Sequence, residues 1–413
     1  MGVVDGSVVF APESAALALG FVFGGIALGT VSGLVPGLHA NNFALLLAAA
    51  APSIPGPPLY VGGAMLAAGV THTFLDVVPA LALGVPDPAM AASALPGHRL
   101  VVAGRGREAL RLSALGSGLA VVLAVPLALP MTRLMVSVYP TVSAHLPLVL
   151  ALVVAFLVLT EGSIRACVGG ALAFVLSAGL GVLTLDIEPT APLTAGGMLM
   201  PLFAGAFGAP VLIEALDGAG VPEQADAAVT TPRRVVGSTA FAGTVSGAVV
   251  GYLPGVSAAV AATVALPLVP NDDGARGFLV ATSGVNTSNT IFALFALVAL
   301  GSPRTGVLVA LDSTGVPLDL PLLLSAVVLA AGVGFVLVPL LGDRYLRTVG
   351  RLDYTWLSVV VLCLLVVLSF LFAGFAGVGT FCAAALVGLV PAEVGARRVH
   401  LMGVLMGPLI LGI

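Results

Sequence analysis

Two polar stretches interrupt apolar runs and carry the residue types that could do chemistry. One is Thr71, His72 and Thr73 with Asp76; the other runs from Ser283 through Asn286, Thr287, Ser288 and Asn289 to Thr290. Hydroxyl and amide oxygens, with backbone carbonyls, are the hard ligands a small cation such as sodium requires. Asp76 and His72 could instead carry a proton, since imidazole titrates near neutrality. Such residues are costly in apolar surroundings and mark functional sites by default, although a lone Ser or Thr there more often serves as an interhelical hydrogen bond. The ion-coupling set is therefore Thr71, His72, Thr73, Asp76, Ser283, Thr287, Ser288, Asn289 and Thr290.

A second set surrounds two proline-glycine pairs, Pro36-Gly37 and Pro254-Gly255. Proline removes a backbone donor and clashes with the preceding turn, and glycine tolerates the restart, so both pairs predict interrupted helices. His39, Asn41 and Asn42 follow the first break and Ser257 follows the second. They suit either caps of half-helix N-termini or contacts to an anion drawn to the positive dipole ends. Asn286 and Arg304 complete this substrate-binding set. A fixed guanidinium at Arg304 could clamp a carboxylate or phosphate or snorkel to the interface, and Asp87, its equivalent in the first half, could pair with it.

The elements that position these residues follow from composition. The chain has 413 residues, 59% hydrophobic and 8% charged, with a mean hydropathy of +1.17, where a soluble domain carries about 25% charged residues. At about 20 residues per spanning helix, the sequence predicts an all-α polytopic membrane protein. It has about 10–12 transmembrane helices in a single integral membrane domain over 1–413, and no soluble catalytic domain. The net charge of -4 is spread in clusters and presents no basic surface for nucleic acid. Cys167, Cys363 and Cys382 lie singly and read as packing residues. With no HExxH and no GxSxG with triad partners, neither catalytic residues nor a metal site is expected, and no cofactor beyond a coupling sodium or proton. The first apolar run, about 15–35, follows Asp5 and Glu13 without a basic residue, and reads as a retained span rather than a signal peptide. Glu161 and Arg165, four apart, read as a structural ion pair.

An internal repeat organises the rest. Gly29 to Gly37 and Gly247 to Gly255 share the pattern GxxxGxxPG. Each is followed by a short apolar piece (38–52 and 256–269) that suits a half-helix or re-entrant segment. Next come the polar stretches, and then the breaks at Gly84-Val85-Pro86 and Gly301-Ser302-Pro303. The flanking charges reverse: the first copy starts beside Asp5 and Glu13 and ends at Arg99, Arg105, Arg107 and Arg111, while the second starts at Arg233 and Arg234 and ends near Asp312 and Asp319. With no lysine present, arginines alone orient the chain. Those arginine loops, with Arg344, Arg347 and Arg351 and with Arg397 and Arg398, are expected to be cytoplasmic, and the N-terminus extracytoplasmic. The two copies then enter from opposite sides, the inverted-topology arrangement of secondary transporters. This divides the chain into a first inverted repeat (15–111), connecting or scaffold helices (112–232), a second repeat core (233–319) and C-terminal helices (320–413).

At these residues the chain resembles the large membrane subunit of tripartite tricarboxylate transporters, the TctA family. The family's early glycine-proline-glycine break is similar to Pro36-Gly37. Its segment N-T-P-G-x-P-x-x-A-x-x-A-x-x-G-x-P is similar to Gly84 through Arg99, followed by the basic Gly104 to Glu108 stretch. Its N-N-A and L-T-L-G-I-P-G-S motifs are similar to Val285 through Asn289 and to Leu297 through Leu311. Where the family has glycine after the motif proline, this chain has Asp87 and Arg304, and His39 follows the first break. The resemblance implies a plasma-membrane permease that takes up an organic anion by cation coupling, together with a small membrane subunit and an extracytoplasmic solute-binding protein. The residues themselves predict a secondary active transporter for a small organic anion, a carboxylate, driven by sodium or protons through alternating access of the two repeats. The lipid bilayer is its surroundings, and a homodimer is left open. Movement of a lipid-linked phosphate such as a polyprenyl-phosphate carrier is the alternative, and a membrane-embedded enzyme lacks the residues it would need.

Overall fold

The computed structural model describes residues 12–36, 38, 40–84, 91–193, 197–216, 221–226, 228–253, 256, 258–265 and 274–413. Regular structure among them is helical: α1 (Pro12–Gly33), α2 (Ala40–Ala50), α3 (Pro58–Leu75), α4 (Val77–Leu83), α5 (Ala91–Val102), α6 (Gly106–Ala144), α7 (Leu146–Leu159), α8 (Ile164–Thr184), α9 (Leu199–Phe203), α10 (Ala209–Ala215), α11 (Arg233–Tyr252), α12 (Ala258–Ala265), α13 (Gly274–Leu300), α14 (Gly306–Ser313), α15 (Leu320–Val349), α16 (Tyr354–Val394) and α17 (Gly403–Leu411). Eight helical stretches are long and apolar enough to cross a membrane, and 146–159, 199–214 and 398–411 are shorter apolar helices. Leu148, Leu152 and Leu159 on α7 and Val168 and Val175 on α8 are exposed, as suits contact with acyl chains. The chain is an all-α, multi-pass membrane protein.

The proline-glycine pairs end their helices as the sequence predicts. α1 stops three residues before Pro36, and α11 stops at Tyr252, with Leu253 extended (φ -102°, ψ 121°). Steric contact with a following proline pushes the preceding residue into that region. The glycines before each break serve a second purpose. A Cβ on Gly25, Gly29 or Gly33 would lie 2.1, 2.2 or 2.8 Å from the carbonyl oxygens of Ala64, Ala68 and His72. One on Gly243, Gly247 or Gly251 would lie 2.5, 2.9 or 3.2 Å from those of Ala281, Val285 and Asn289. α1 therefore packs backbone to backbone on α3, and α11 on α13, as glycine allows in membrane helices. The two seams share one register, which sets Thr71 against Ser288, His72 against Asn289 and Asp76 against Ala293.

In both seams residue numbers rise together, so α1 runs parallel to α3 and α11 parallel to α13. A parallel neighbour requires the connecting chain to return to the side on which the first helix began. α2 has 11 residues, about 16 Å at 1.5 Å per residue, roughly half of the 30 Å hydrocarbon core. α2 thus stands on the return path between α1 and α3. α12, with 8 residues, stands in the same place after α11. Three further pairs of contacts are reciprocal: α3 packs on α15 and α13 on α6, α2 on α14 and α12 on α5, α14 on α3 and α5 on α13. Exchanging α1, α2, α3, α5 and α6 with α11, α12, α13, α14 and α15 reproduces each pairing.

α7 to α10 pack with α16 and α17 around a separate core that includes Leu150, Leu157, Phe203 and Met402. α16 has 41 residues, about 62 Å if straight, twice the bilayer core. It reverses at Ala373 and Gly374 (φ 59° at the glycine). Thr355 reaches Leu216 and Ser369 reaches Met200, whereas Thr380 reaches Met198 and Gly388 meets Ala206. The two limbs therefore run in opposite directions along the same 198–216 stretch. The backbone N–H groups of Leu193 and Gly197 cover the carbonyls of Leu371 and Phe372 beside the reversal. With so many glycines in an apolar run, composition does not single out the one that turns.

The arginine groups share one end of the bundle. Arg107 pairs with Asp343, which also pairs with Arg347, and Arg111 pairs with Asp226. Glu108 is buried and accepts from Arg105, Arg276 and Thr230, although the sequence placed it in a water-exposed loop. Gln224, on the segment between α10 and α11, caps the N–H of Gly106 at 2.7 Å. Glu161 differs from expectation as well. The 160–163 turn packs on the C-terminal segment, so Glu161 pairs with Arg397 (2.9 Å) and His400 (2.7 Å), and Arg165 donates to the Glu393 carbonyl. Burial pushes the Glu161 carboxyl up, but the hydrogen bonds from Arg397 and His400 outweigh it and hold the group below the ordinary carboxylate range.

Candidate functional site

The two polar stretches meet. Pro79 cannot donate to the Leu75 carbonyl and its ring crowds that turn, so the helix is interrupted at Asp76, between α3 and α4. There the carboxylate is 5% exposed, and the Asn286 amide reaches it from the middle of α13. Asn286 Nδ2 donates to Asp76 Oδ2 at 3.3 Å and to the Thr73 carbonyl at 3.4 Å. One turn before Asp76, His72 is buried, shares a hydrogen bond of 2.9 Å between its Nδ1 and Ser32 Oγ, and stacks on Phe43 with ring centroids 5.5 Å apart. Helices α1, α2, α3 and α13 thus all contribute to one buried polar centre.

The other polar residues divide. Thr71 Oγ1, Thr287 Oγ1 and Asn289 Oδ1 are buried and make no hydrogen bond among the described residues. Such groups ordinarily find a partner, so three oxygens with hard-ligand chemistry lie in the two stretches without one. Thr73 and Ser288 turn back on their own helices, to the carbonyls of Val70 (2.9 Å) and Gly284 (2.7 Å). Ser283 faces α6, exchanging a hydrogen bond of 2.8 Å with Ser113. Thr290 is buried.

α14 aims at this centre. Val307 packs at Gly69, and Leu311, one turn later, packs at Gly62, so α14 runs antiparallel to α3 with its N-terminal end turned toward Thr71 to Asp76. Thr305 is the residue before it, and its own side chain makes no cap hydrogen bond. Arg304 precedes Thr305, donates to the Tyr139 hydroxyl and lies 4.9 Å from that ring's centroid. Its Nε is buried and has no hydrogen-bond partner among the described residues. Asp87, the partner the sequence suggested, lies outside the described residues.

Pro36 is half-buried in the turn after α1, and Asn41 and Asn42 belong to the first turn of α2. Gly37, His39, Pro254, Gly255 and Ser257 lie outside the described residues. Sequence reasoning missed Ser32, Phe43 and Tyr139. Ser32 sits inside the Gly29–Gly33 motif, where a polar residue one position from the packing glycine was a usable signal. Tyr139 precedes Pro140 in an apolar run and could have been flagged as a polar tip at depth. Phe43 carried no signal, because a phenylalanine on a half-helix is an ordinary packing residue.

Comparison with known proteins places these features in context. The model of the "Tripartite tricarboxylate transporter TctA family" matches residues 19–403. An uncharacterised protein of Methanocaldococcus jannaschii is 27% identical over 395 residues, which cover 94% of this chain and 96% of that protein. No solved structure matches the chain.

Proposed function

Because the chain belongs to the tripartite tricarboxylate transporter TctA family, we propose that it is the permease of a secondary transport system. It takes up a small organic anion, a carboxylate, coupled to sodium or protons by alternating access of two inverted repeats. The observation that carries this reading is the hydrogen bond from Asn286 to Asp76, which joins the polar stretches of the two copies at a buried point. Ionisable and amide groups at that depth are costly unless they serve a ligand or an ion. The reciprocal helix pairings and the reversal of flanking charge support inversion of the copies.

The substrate carboxylate is assigned to the space beside the N-terminal end of α14, where the positive helix end and Arg304 favour an anion. The breaks after Pro36 and Pro254, with Gly37, His39, Asn41, Asn42, Gly255 and Ser257, form the rest of that site. Asn286 belongs to the substrate site as well, and Thr71, His72, Thr73, Asp76, Ser283, Thr287, Ser288, Asn289 and Thr290 serve the coupling ion. The arginine end faces the cytoplasm of a cell whose plasma membrane the chain crosses, and the N-terminus is extracytoplasmic. A small membrane subunit and an extracytoplasmic binding protein are its partners.

The test is uptake into proteoliposomes that hold the chain with any subunits that copurify, using radiolabelled citrate and succinate. A sodium or proton gradient is expected to accelerate uptake of at least one of them. Arg304→Ala and Asn286→Ala are each expected to weaken binding about tenfold or more, the size of a lost hydrogen bond to a charged group. Uptake that ignores both gradients, with both variants binding as the wild type does, contradicts the reading.

A further inference from the structure

Resting on the transport reading above, we propose that Tyr139 is a positioning residue of the substrate site. It fixes the Arg304 guanidinium with its hydroxyl and its ring, so that Arg304 Nε and the Thr305 hydroxyl meet the substrate carboxylate. Arg304 Nη2 donates to the Tyr139 hydroxyl, and the guanidinium carbon lies 4.9 Å from the ring centroid. One side chain from α6 thus holds the charged group twice, through a charge-assisted hydrogen bond and through the negative face of its ring. The phenol holds the charge without neutralising it, which a carboxylate in its place would do.

The atoms left for the carboxylate belong to adjacent residues. Arg304 Nε and Thr305 Oγ1 are both buried, and neither has a hydrogen-bond partner among the described residues. Thr305 stands at the N-cap position of α14 with an extended backbone (φ -115°, ψ 153°), where a threonine side chain ordinarily accepts from the first turn. Here it makes no cap bond, and the N–H groups of Leu308 and Val309 reach the Thr305 carbonyl instead, at 3.0 and 2.9 Å. Buried donors ordinarily find an acceptor, and the N-terminal end of the helix favours one that is negative. A guanidinium N–H and a hydroxyl supply two donors to the two oxygens of one carboxylate.

The helix that carries Tyr139 is itself anchored. Thr132 lies two turns earlier on the same face of α6. Its hydroxyl donates to the Ala128 carbonyl at 2.7 Å, so the Tyr252 hydroxyl donates to Thr132, at 2.6 Å. Thr132 and Tyr252 are both buried, and Tyr252 ends α11 just before the break at Pro254. One face of α6 therefore reaches both breaks of the second copy, at Tyr252 before Pro254 and at Arg304 after Pro303. Tyr139 holds the guanidinium in register with the two breaks, which a flexible arginine side chain does not do by itself.

The experiment treats the full chain in phosphatidylcholine liposomes, without substrate, with the arginine reagent phenylglyoxal, and follows modification of Arg304 by peptide mass spectrometry. Modification is expected to be about tenfold faster in Tyr139→Leu, the factor for one lost hydrogen bond to a charged group. It should be intermediate in Tyr139→Phe, which keeps the ring, and Arg233 and Arg234 should react as in the wild type. In proteoliposomes given citrate and succinate, Tyr139→Leu should raise the KM of the transported anion about tenfold with the maximal rate kept. Tyr139→Phe should raise it less, and Tyr139→Leu should add nothing to Arg304→Ala, because it acts through that residue. If Tyr139→Leu does not fold, Tyr139→Phe decides. The proposal is overturned if Arg304 reacts at the wild-type rate in both Tyr139 variants, if Asp87→Asn rather than Tyr139→Leu releases it, or if Tyr139→Leu weakens binding further in the Arg304→Ala background. Faster labelling with no binding of citrate or succinate would overturn the transport reading and leave the positioning of Arg304 by Tyr139 standing.

Discussion

Gly25→Leu and Gly243→Leu are each expected to abolish recovery of folded protein, whereas Gly20→Leu and Gly237→Leu on the same two helices leave it intact. A Cβ at Gly25 would stand 2.1 Å from the Ala64 carbonyl oxygen and one at Gly243 2.5 Å from that of Ala281, while nothing lies within 4 Å of Gly20 or Gly237. The obstructing atoms are backbone, so the whole helix must move to make room. Overpacking costs about 1–3 kcal/mol where side chains can adjust. Parting two helices should exceed about 4 kcal/mol, the range reserved for severe defects. The check is the thermal midpoint and elution profile of the four variants in detergent. Equal damage from Gly20→Leu and Gly25→Leu would mean that the seam is not what the glycines serve.

Glu108→Ala is expected to destabilise the protein by about 3–5 kcal/mol, the cost of removing one partner from a buried ion pair. Its carboxylate accepts from Arg276 Nε at 3.0 Å, Arg105 Nε at 2.6 Å and the Thr230 backbone N–H at 3.2 Å. It therefore ties together the first turns of α6 and α13 and the segment that leads into α11. Loss of the carboxylate strands two guanidinium groups against each other. The double variant Glu108→Ala/Arg276→Ala should recover part of the loss, because groups in one network are not additive. Thermal unfolding of the two single variants and the double variant measures this; a Glu108→Ala midpoint within error of the wild type contradicts it.

Much of this architecture was legible in the residues. The paired Pro-Gly patterns located the breaks, because proline and glycine act through local backbone sterics that need no tertiary knowledge, whereas the packing seams made by the glycines before them emerged only from which helices lie together. The two polar stretches were visible as costly residues in apolar runs. Their meeting at Asp76 and Asn286 was not, because it depends on which helix faces which. Glu108 shows the same limit from the other side: a charged residue in a loop-like stretch reads as solvated, and only the packing of α6, α13 and the 221–231 segment reveals that it is enclosed. Arg165 was assigned to Glu161 on helical spacing, yet the acid lies in a turn and the C-terminal segment supplies its partners. The return of α16 at Gly374 was hidden by the abundance of glycine around it.

The inverted insertion of the two copies is the central claim, and impermeant-thiol labelling tests it most directly. In a background without Cys167, Cys363 and Cys382, single cysteines are placed at Pro57, just before α3, and at Ala275, in the first turn of α13, positions that fall within one residue of each other in the shared register of the two copies. In intact cells with the outer surface accessible, Pro57→Cys should react with a membrane-impermeant maleimide, and Ala275→Cys should react only after permeabilisation. Labelling of both positions from the same side would show that the copies enter the membrane in the same direction, and would contradict the account.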